Sequence, residues 1–271
     1  MFDLLIFTQY PKAYAPRRLA VEAKNMDLRF KIYEYSKIKN VTKLPISKYV
    51  ILREPDADKN LYSLRDKILK YYLNHKSLIL NHKSYSKWSI LDKKTQSLEF
   101  KKGGIPTISE INPETFSYPF IAKSKLGSHG SHVFKITCKE GFDKVLSKYK
   151  AEDLLCQEFQ TSGFDLRVIV LGGRVLGIMK RTPQKGEFLS NFSQGGFVSK
   201  YDGSDMSEIK SIAIKTAKHF KLDHVGVDLM KGNDSGWKVL EVNRACQFQG
   251  FEKAIGVNVA QYAIQFLVTD R

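Results

Sequence analysis

Two acidic side chains and one amide are spaced so that they could bind a metal ion together. Asp228 lies in a segment, residues 225–230, whose apolar residues alternate with other residues as they do in a half-buried strand. Turn-forming residues at 231–236 precede a second predicted strand, on which Glu241 and Asn243 face the same side. If these strands pair, three oxygen-bearing side chains converge and suit Mg²⁺, which usually shares its shell with substrate phosphates. The alternative is two solvated or lysine-paired carboxylates.

A lysine followed by a glycine-containing loop is the second candidate. Residues 118–123 predict a strand that ends in Lys123, and the loop at 124–133 contains two glycines. Glycine lets backbone N–H groups approach an oxyanion closely, and the lysine ammonium supplies charge. An ordinary hairpin is the alternative for the loop, and we favour Lys123 as a phosphate ligand.

Two apolar runs between residues 163 and 181 flank Gly172 and Gly173, which predicts a tight hairpin with positive φ at its turn. In the expected register Asp165 lies opposite Lys180, where the two would form a cross-strand ion pair. Residues 182–200 are polar and glycine-containing, as is typical of a mobile loop that covers a substrate.

The remaining segments predict a mixed α/β chain. Residues 2–8, 28–35, 49–52 and 77–80 resemble strands, with helices at 15–25 and 60–74, and no GxGxxG motif is present. Further helices are expected at 84–93, 142–149, 205–221 and 251–267, and a further strand at 153–159. Asp205 and Glu208 predict a capping box for the helix at 205–221, whose apolar stripe predicts core packing.

Composition indicates an ordinary globular chain. Its 271 residues are 42% hydrophobic and 12% aromatic, which excludes a largely disordered protein. The 44 Lys and Arg residues against 28 Asp and Glu residues give a net charge of +16, which favours an acidic partner. Three widely spaced cysteines without a CxxC pair predict free thiols in a reducing cytoplasm. No apolar run is long enough to span a bilayer, so no membrane partner is expected.

Five ordered motifs together carry a family resemblance. They are DLRVIVLGGRVLGIMKR, GEFLSNFSQGG, VGVDLM, VLEVN and GFEKAIGVNVA, between about residues 154 and 263. With them the chain resembles the ATP-grasp ligases of the RimK-like, glutamate-ligase branch. The resemblance implies an α/β (α+β) ATP-grasp fold with a small amino-terminal α/β domain. The expected domains are residues 1–80, a nucleotide-lid region at 81–155, and a metal-binding region at 156–271.

The same resemblance assigns roles to individual residues. Those expected to bind ATP are Lys87, Lys123, Gln157, Glu158, Phe159, Asp165, Ser190 and Asn191. Arg167 and Arg181 are expected beside the reacting groups, and Asp228, Glu241 and Asn243 at the metal. For Lys87 a solvated surface lysine is the alternative. Leu189 replaces the family's usual arginine, so one phosphate-facing cation is missing.

Arg244 is a second departure from the family pattern, because small residues commonly follow the metal asparagine. Its side chain either grips a substrate carboxylate, which we favour and which would make it catalytic, or pairs with a nearby acid.

The implied activity is an ATP- and Mg²⁺-dependent carboxylate–amine ligation through an acylphosphate, with Mn²⁺ as an alternative ion. The partners would be ATP, a carboxylate and an amine, one of them acidic, such as glutamate and an acidic peptide, protein or small molecule. An oligomer is compatible with the sequence. The rival hypothesis is a basic nucleic-acid- or polyanion-binding protein whose ATP-grasp core is inactive; the charge of +16 favours it.

Overall fold

The computed structural model describes residues 2–56, 58–127, 132–184 and 196–269. Its first sheet is parallel, with the strand order β2-β1-β3-β4. The strands are β1 (Leu4–Thr8), β2 (Phe30–Glu34), β3 (Tyr49–Leu52) and β4 (Leu78–Ile79), and the helices are α1 (Tyr14–Asn25) and α2 (Lys59–Asn74). This arrangement confirms the predicted βαβ beginning and places the carboxyl ends of the parallel strands at one edge.

The second sheet is antiparallel, with the strand order β6-β5-β7. Its strands are β5 (Phe120–Ser124), β6 (Val133–Ile136) and β7 (Leu154–Glu158), with α5 (Lys139–Leu146) between β6 and β7. Two helices, α3 (His82–Lys87) and α4 (Lys93–Lys102), precede it. The single helix predicted at 84–93 is therefore wrong. Trp88 is extended, and the Asp92 carboxylate starts α4 by accepting a hydrogen bond from the Thr95 N–H at 2.7 Å.

The third sheet has the antiparallel strand order β10-β9-β8-β11-β12. Its strands are β8 (Asp165–Leu171), β9 (Arg174–Thr182), β10 (Phe197–Lys200), β11 (His224–Lys231) and β12 (Trp237–Asn243). Helix α6 (Met206–His219) covers one face, and α7 (Gln249–Ile255) and α8 (Val259–Thr269) lie towards the other. The helix predicted at 251–267 is divided, because Gly256 adopts positive φ of 77° after α7.

The β8–β9 hairpin turns at Gly172 and Gly173, whose φ angles are 56° and 77°, as predicted. Its predicted register is wrong by one residue, since a bulge lies between Ile169 and Val170. Asp165 therefore faces Arg181 instead of Lys180.

The predicted capping box of α6 is also wrong. Asp205 makes no side-chain capping bond. Its carboxylate instead accepts hydrogen bonds from the Tyr201 hydroxyl at 2.6 Å and the Trp237 indole at 2.9 Å. The acid therefore ties the start of α6 to β12.

Two apolar cores give the third sheet its two faces. Leu166 and Val168 of β8 pack with α6, whereas Ile169 packs with α7, α8 and residues of the first sheet. Because side chains alternate along a strand, Asp165 and Arg167 lie on the face of Ile169, towards the first sheet.

The domain limits proposed from the sequence stay a prediction, and the limit at 155 and 156 falls inside β7. No helix in the described parts of the chain is both long and apolar enough to cross a membrane.

Candidate active site

A cleft of about 960 Å³ opens where the three sheets meet. Residues of all three sheets line it, so it exists only in the assembled fold. The lining includes these residues singled out in the sequence: Lys123, Gln157, Glu158, Phe159, Asp165, Arg167, Arg181, Asp228, Glu241, Asn243 and Arg244. The structure thus brings together side chains that lie up to 121 positions apart, since 244 − 123 = 121.

The hairpin of β11 and β12 brings the three predicted metal ligands together. Asp228 lies opposite Glu241, and Asn243 lies opposite Gly226. The Asn243 amide nitrogen donates to a Glu241 carboxylate oxygen at 3.0 Å and lies 3.4 Å from an Asp228 oxygen. The predicted convergence of the three side chains on one face is confirmed.

Asp228 is held by two arginines, one from β8 and one from β9. Arg167 donates Nε and Nη2 to the two Asp228 oxygens at 2.7 and 2.6 Å, and Arg181 Nη2 lies 3.0 Å from one of them. Burial alone would raise the pKa of Asp228, but the two guanidinium groups outweigh it, so this pKa is lowered. Asp228 is therefore a carboxylate at neutral pH.

Arg181 connects Asp228 to a second carboxylate, Asp165, to which its Nε donates a hydrogen bond. The guanidinium is almost completely buried. Burial opposes its charge, yet the two carboxylates raise the pKa of Arg181. The result is a chain of alternating charges along the floor of the cleft, with Arg167 and Arg181 beside the candidate metal ligands.

The donor chemistry of this set fits Mg²⁺. It offers two carboxylates and one amide, which are hard oxygen ligands of the kind Mg²⁺ takes together with water and phosphate. Glu241 and Asn243 are only partly buried, and no described residue donates to the Asn243 amide oxygen. Within the described part of the chain, no group of three or more His, Cys, Asp or Glu side chains forms a rival metal site.

Lys123, at the end of β5, faces the same cleft. Its ammonium donates to the Gln157 amide oxygen at 2.9 Å, and the Gln157 amide nitrogen donates to the Ile108 carbonyl at 3.2 Å. Burial lowers the pKa of Lys123 to about 8, with a smaller opposing contribution from Glu241 and a lowering one from Lys93. Among the described residues no carboxylate forms an ion pair with Lys123, so its ammonium is disposed to bind an anion.

The end of β7 supplies the predicted adenine side of the cleft. The Glu158 N–H donates to the Ser109 carbonyl at 3.3 Å, and Glu158 and Phe159 both line the cleft. The Lys135 ammonium lies 4.0 Å from the centre of the Phe159 ring. An apolar ring and strand backbone at this edge could receive a flat heterocycle.

The structure does not bring Lys87 into the cleft. Its ammonium is 4.0 Å from Glu99 and 4.1 Å from the centre of the Trp88 ring, and its side chain is 45% exposed. Lys87 is therefore a surface lysine, which was the alternative interpretation of this residue. Lys93, six residues later, lines the cleft and donates to the Gly127 carbonyl at 2.9 Å. Two predicted ligands, Ser190 and Asn191, lie outside the described residues, as does Leu189.

Arg244 adopts the second of its two predicted arrangements, because its guanidinium is already occupied. Nη2 donates to Glu54 at 2.7 Å, Nη1 donates to the Trp88 carbonyl at 2.6 Å, and the side chain is 2% exposed. The favoured expectation of a free carboxylate-binding arginine is thus corrected. Arg244 instead joins β12 to the first sheet.

Sequence reasoning missed Arg53, which follows β3 and lines the cleft. Its Nη2 donates to the Ala245 carbonyl at 2.6 Å and lies 3.3 Å from the Cys246 carbonyl. The available signal was an arginine at the carboxyl end of a buried parallel strand, where ligands of open α/β sheets commonly bind.

Comparisons with known proteins agree with this architecture. The model of the RimK-like ATP-grasp domain matches residues 76–267. A protein of Pasteurella multocida (strain Pm70), named probable alpha-L-glutamate ligase, is 36% identical over 162 residues, which are 57% of this chain and 51% of that protein. A protein of the same name from Trichodesmium erythraeum (strain IMS101) is 35% identical over 153 residues, 55% of this chain and 50% of that protein. The chain thus spans about half the length of the curated relatives it matches.

Solved structures show the same fold over the whole chain. The ATP-grasp ligase PsnB, complexed with a minimal precursor, superposes with a TM-score of 0.77 at 17% identity, covering 100% of this chain and 99% of PsnB. The RimK domain ATP-grasp protein of Sphaerobacter thermophilus DSM 20745 gives a TM-score of 0.74 at 15% identity, with coverage of 98% and 99%. These likenesses confirm the predicted ATP-grasp fold. Since the family model matches more than half of this chain, the chain belongs to the RimK-like ATP-grasp family.

Proposed function

We propose that this protein is an ATP- and Mg²⁺-dependent carboxylate–amine ligase. The observation that carries the proposal is the convergence of Asp228, Glu241 and Asn243 with Arg167 and Arg181 at the floor of one cleft. Oxygen ligands for a divalent cation and fixed guanidinium groups are what a site needs in order to gather phosphates and a carboxylate, which repel each other.

In the first step a substrate carboxylate oxygen would attack the γ-phosphorus of ATP. The bond from that phosphorus to the bridging oxygen breaks, ADP leaves, and an acylphosphate forms. An amine then attacks the acyl carbon, phosphate leaves with the carboxylate oxygen, and the nitrogen loses a proton to give the amide. No side chain has to act as a covalent nucleophile.

The residues of the cleft divide this work between them. Arg167 and Arg181, fixed by Asp228, would offset the charge that develops on the transferred group. Lys123 would contact the phosphates, and Glu158 and Phe159 would border the adenine. Bound Mg²⁺, held by Asp228, Glu241 and Asn243, would neutralise phosphate charge. Mn²⁺ would be accepted by the same oxygen ligands.

The proposed substrates are an amino acid such as glutamate and an acidic acceptor, for which a peptide is the first candidate. Three observations support this choice. The curated relatives are named for glutamate ligation, the structure of PsnB is of a complex with a minimal precursor, and the chain carries a net charge of +16. A basic surface attracts an acidic polypeptide at long range and speeds their encounter.

The test is ADP release with Mg²⁺ and ATP, in the presence of pooled amino acids and acidic peptides. The natural chain should release ADP only when an acid is added, and Glu241→Ala should abolish the release. Glu114→Ala, which changes an exposed loop carboxylate outside the cleft, is the matched control and should behave like the natural chain. No ATP binding by the natural chain, together with nucleic-acid affinity that falls steeply with salt, would replace this proposal with the polyanion-binding alternative.

A further inference from the structure

Arg53 carries a buried positive charge at the end of the cleft that the first sheet forms. Its backbone N–H donates to the Phe7 carbonyl at 2.9 Å, and its own carbonyl accepts from the Tyr35 hydroxyl at 2.9 Å. The residue is 6% exposed, yet it belongs to the lining of the cleft. Its position is therefore fixed by the sheet, and its side chain reaches the substrate space.

Arg53 differs from the other buried or cleft-lining arginines in its lack of a counter-charge. A carboxylate pairs with each of these four: Arg65, Arg167, Arg181 and Arg244. Among the described residues, no carboxylate lies within 4.0 Å of Arg53. A buried charge of this kind is costly unless something neutralises it.

The groups around Arg53 do not supply the missing negative charge. Burial, followed by the charge of Arg53, lowers the pKa of His224 to about 4, so this imidazole is neutral at pH 7. Burial likewise raises the pKa of the Cys246 thiol. The surroundings of the guanidinium are thus neutral, and a bound anion would complete them.

Most of the guanidinium is still available to a ligand. Only Nη2 donates to the protein, to the carbonyls of Ala245 and Cys246. Nε and Nη1 make no hydrogen bond with the described residues, and neither is among the atoms sealed from solvent without a partner. Either nitrogen can donate a charge-assisted hydrogen bond to a carboxylate oxygen.

Arg53 and Arg167 contact different carbonyls of residues 245–247. Arg53 donates to the carbonyls of Ala245 and Cys246, whereas Arg167 Nη1 lies 3.4 Å from the Gln247 carbonyl on the side of Asp228. The phosphates and the carboxylate that receives phosphate belong beside Arg167. An anion on Arg53 is therefore a second group of the substrate, held close to the chemistry but not consumed by it.

We propose that Arg53 binds a carboxylate of the amino-acid substrate that does not react. This assignment rests on the proposed ligase function for the identity of the ligand and on the geometry of Arg53 for its location. It makes Arg53 a specificity determinant, because an amino acid whose corresponding carboxylate is an amide would leave the guanidinium without its counter-charge.

The test is equilibrium binding by calorimetry, with Mg²⁺ and a non-hydrolysable ATP analogue present. The probes are L-glutamate, L-glutamine and L-isoglutamine, so each carboxylate is replaced by an amide in turn. Arg53→Gln should bind glutamate about 10- to 100-fold more weakly than the natural chain. Arg53→Lys should show a smaller loss, because the positive charge is kept while the donor geometry changes. Arg29→Gln, which removes an exposed arginine on the first sheet, should bind like the natural chain.

The amides identify the carboxylate concerned. One of the two amides should bind the natural chain weakly, and its affinity should not fall further in Arg53→Gln. This result is expected when the amide and the substitution remove the same contact. Unchanged glutamate affinity in Arg53→Gln, equal losses for glutamate and both amides, or no carboxylate binding by the natural chain would each overturn the proposal. Affinity for the ATP analogue, measured in the same variants, should not change. If the natural chain does not bind the ATP analogue, that result counts against the proposed function instead.

Discussion

Lys123 provides a prediction in which stability and ligand binding change in opposite directions. Burial lowers its pKa from 10.5 to about 8. Since each unit of pKa corresponds to about 1.4 kcal/mol, the charged form costs about 3 kcal/mol, or about 2 kcal/mol once solvent in the cleft is allowed for. Lys123→Met removes that cost but leaves the Gln157 amide oxygen without its donor, a loss of about 1 kcal/mol. The variant should therefore be about 1 kcal/mol more stable at pH 7.

The pH dependence of this difference follows from the direction of the pKa change. Between pH 8 and 10.5 the unfolded chain binds more protons at Lys123 than the folded chain does. The free energy of unfolding of the natural chain should therefore rise relative to Lys123→Met through this window. Below pH 8 the full cost of the charged lysine applies, and above pH 10.5 it disappears.

The assay is urea unfolding of both proteins at several pH values from 7 to 10, together with ATP binding at pH 7. ATP affinity should fall by about 10- to 100-fold in Lys123→Met, because a charge-assisted contact with phosphate is lost. Lys125→Met is the control: its pKa is raised by Asp153, so it should not alter the pH profile in this range. A Lys123→Met protein that is less stable at pH 7, or a stability difference independent of pH, would refute the reasoning.

Three further predictions concern the residues that hold the cleft together. Arg181→Gln should lower the free energy of unfolding by about 3–5 kcal/mol, because it removes a buried guanidinium that pairs with both Asp165 and Asp228; a loss under about 1 kcal/mol in urea unfolding would contradict the ion-pair geometry. Asp205→Ala should lower the free energy of unfolding by about 2 kcal/mol in the same assay, because the Tyr201 hydroxyl and the Trp237 indole N–H lose their acceptor. An unchanged unfolding midpoint would show that Asp205 does not stabilise the contact between α6 and β12. Asn81→Ala removes four side-chain hydrogen bonds that join the residue after β4 to Asp223, His224 and Arg244, so the melting temperature should fall by about 6–12 °C; a fall under about 2 °C would show that these bonds are dispensable.

The parts of the site that came from local patterns were predictable. Alternation and turn-forming residues predicted that Asp228, Glu241 and Asn243 share one face of a hairpin, because strand pairing across a short turn is fixed over a few residues. Gly172 and Gly173 located the other hairpin for the same reason.

The errors arose where distant contacts overrode a local rule. The bulge at Ile169 and Val170, which shifted Asp165 to Arg181, depends on how β8 and β9 fit the rest of the sheet. Asp205 matched a capping signal, but the side chains of Tyr201 and Trp237 compete for its carboxylate. Tyr201 lies four positions before Asp205 and Trp237 lies 32 positions after it, and the capping signal contains neither.

Arg53 and Arg244 show why charge alone did not reveal the substrate end of the cleft. Arg53 follows a predicted strand and Arg244 follows a family motif, but neither position indicates which partner the side chain takes. Glu54, adjacent to Arg53 in sequence, pairs with Arg244, while Arg53 reaches the carbonyls that follow β12. Both line the cleft, and only the folded chain determines which of the two pairs with a carboxylate.

The central claim, that ATP activates a carboxylate by phosphorylation, is tested most directly with an ¹⁸O label. The acid that stimulates ADP release would be supplied with both carboxylate oxygens labelled, and the inorganic phosphate would be analysed by mass spectrometry. The proposed acylphosphate predicts one labelled oxygen in phosphate for each amide formed. Amide formation with unlabelled phosphate, or with AMP in place of ADP, would contradict it.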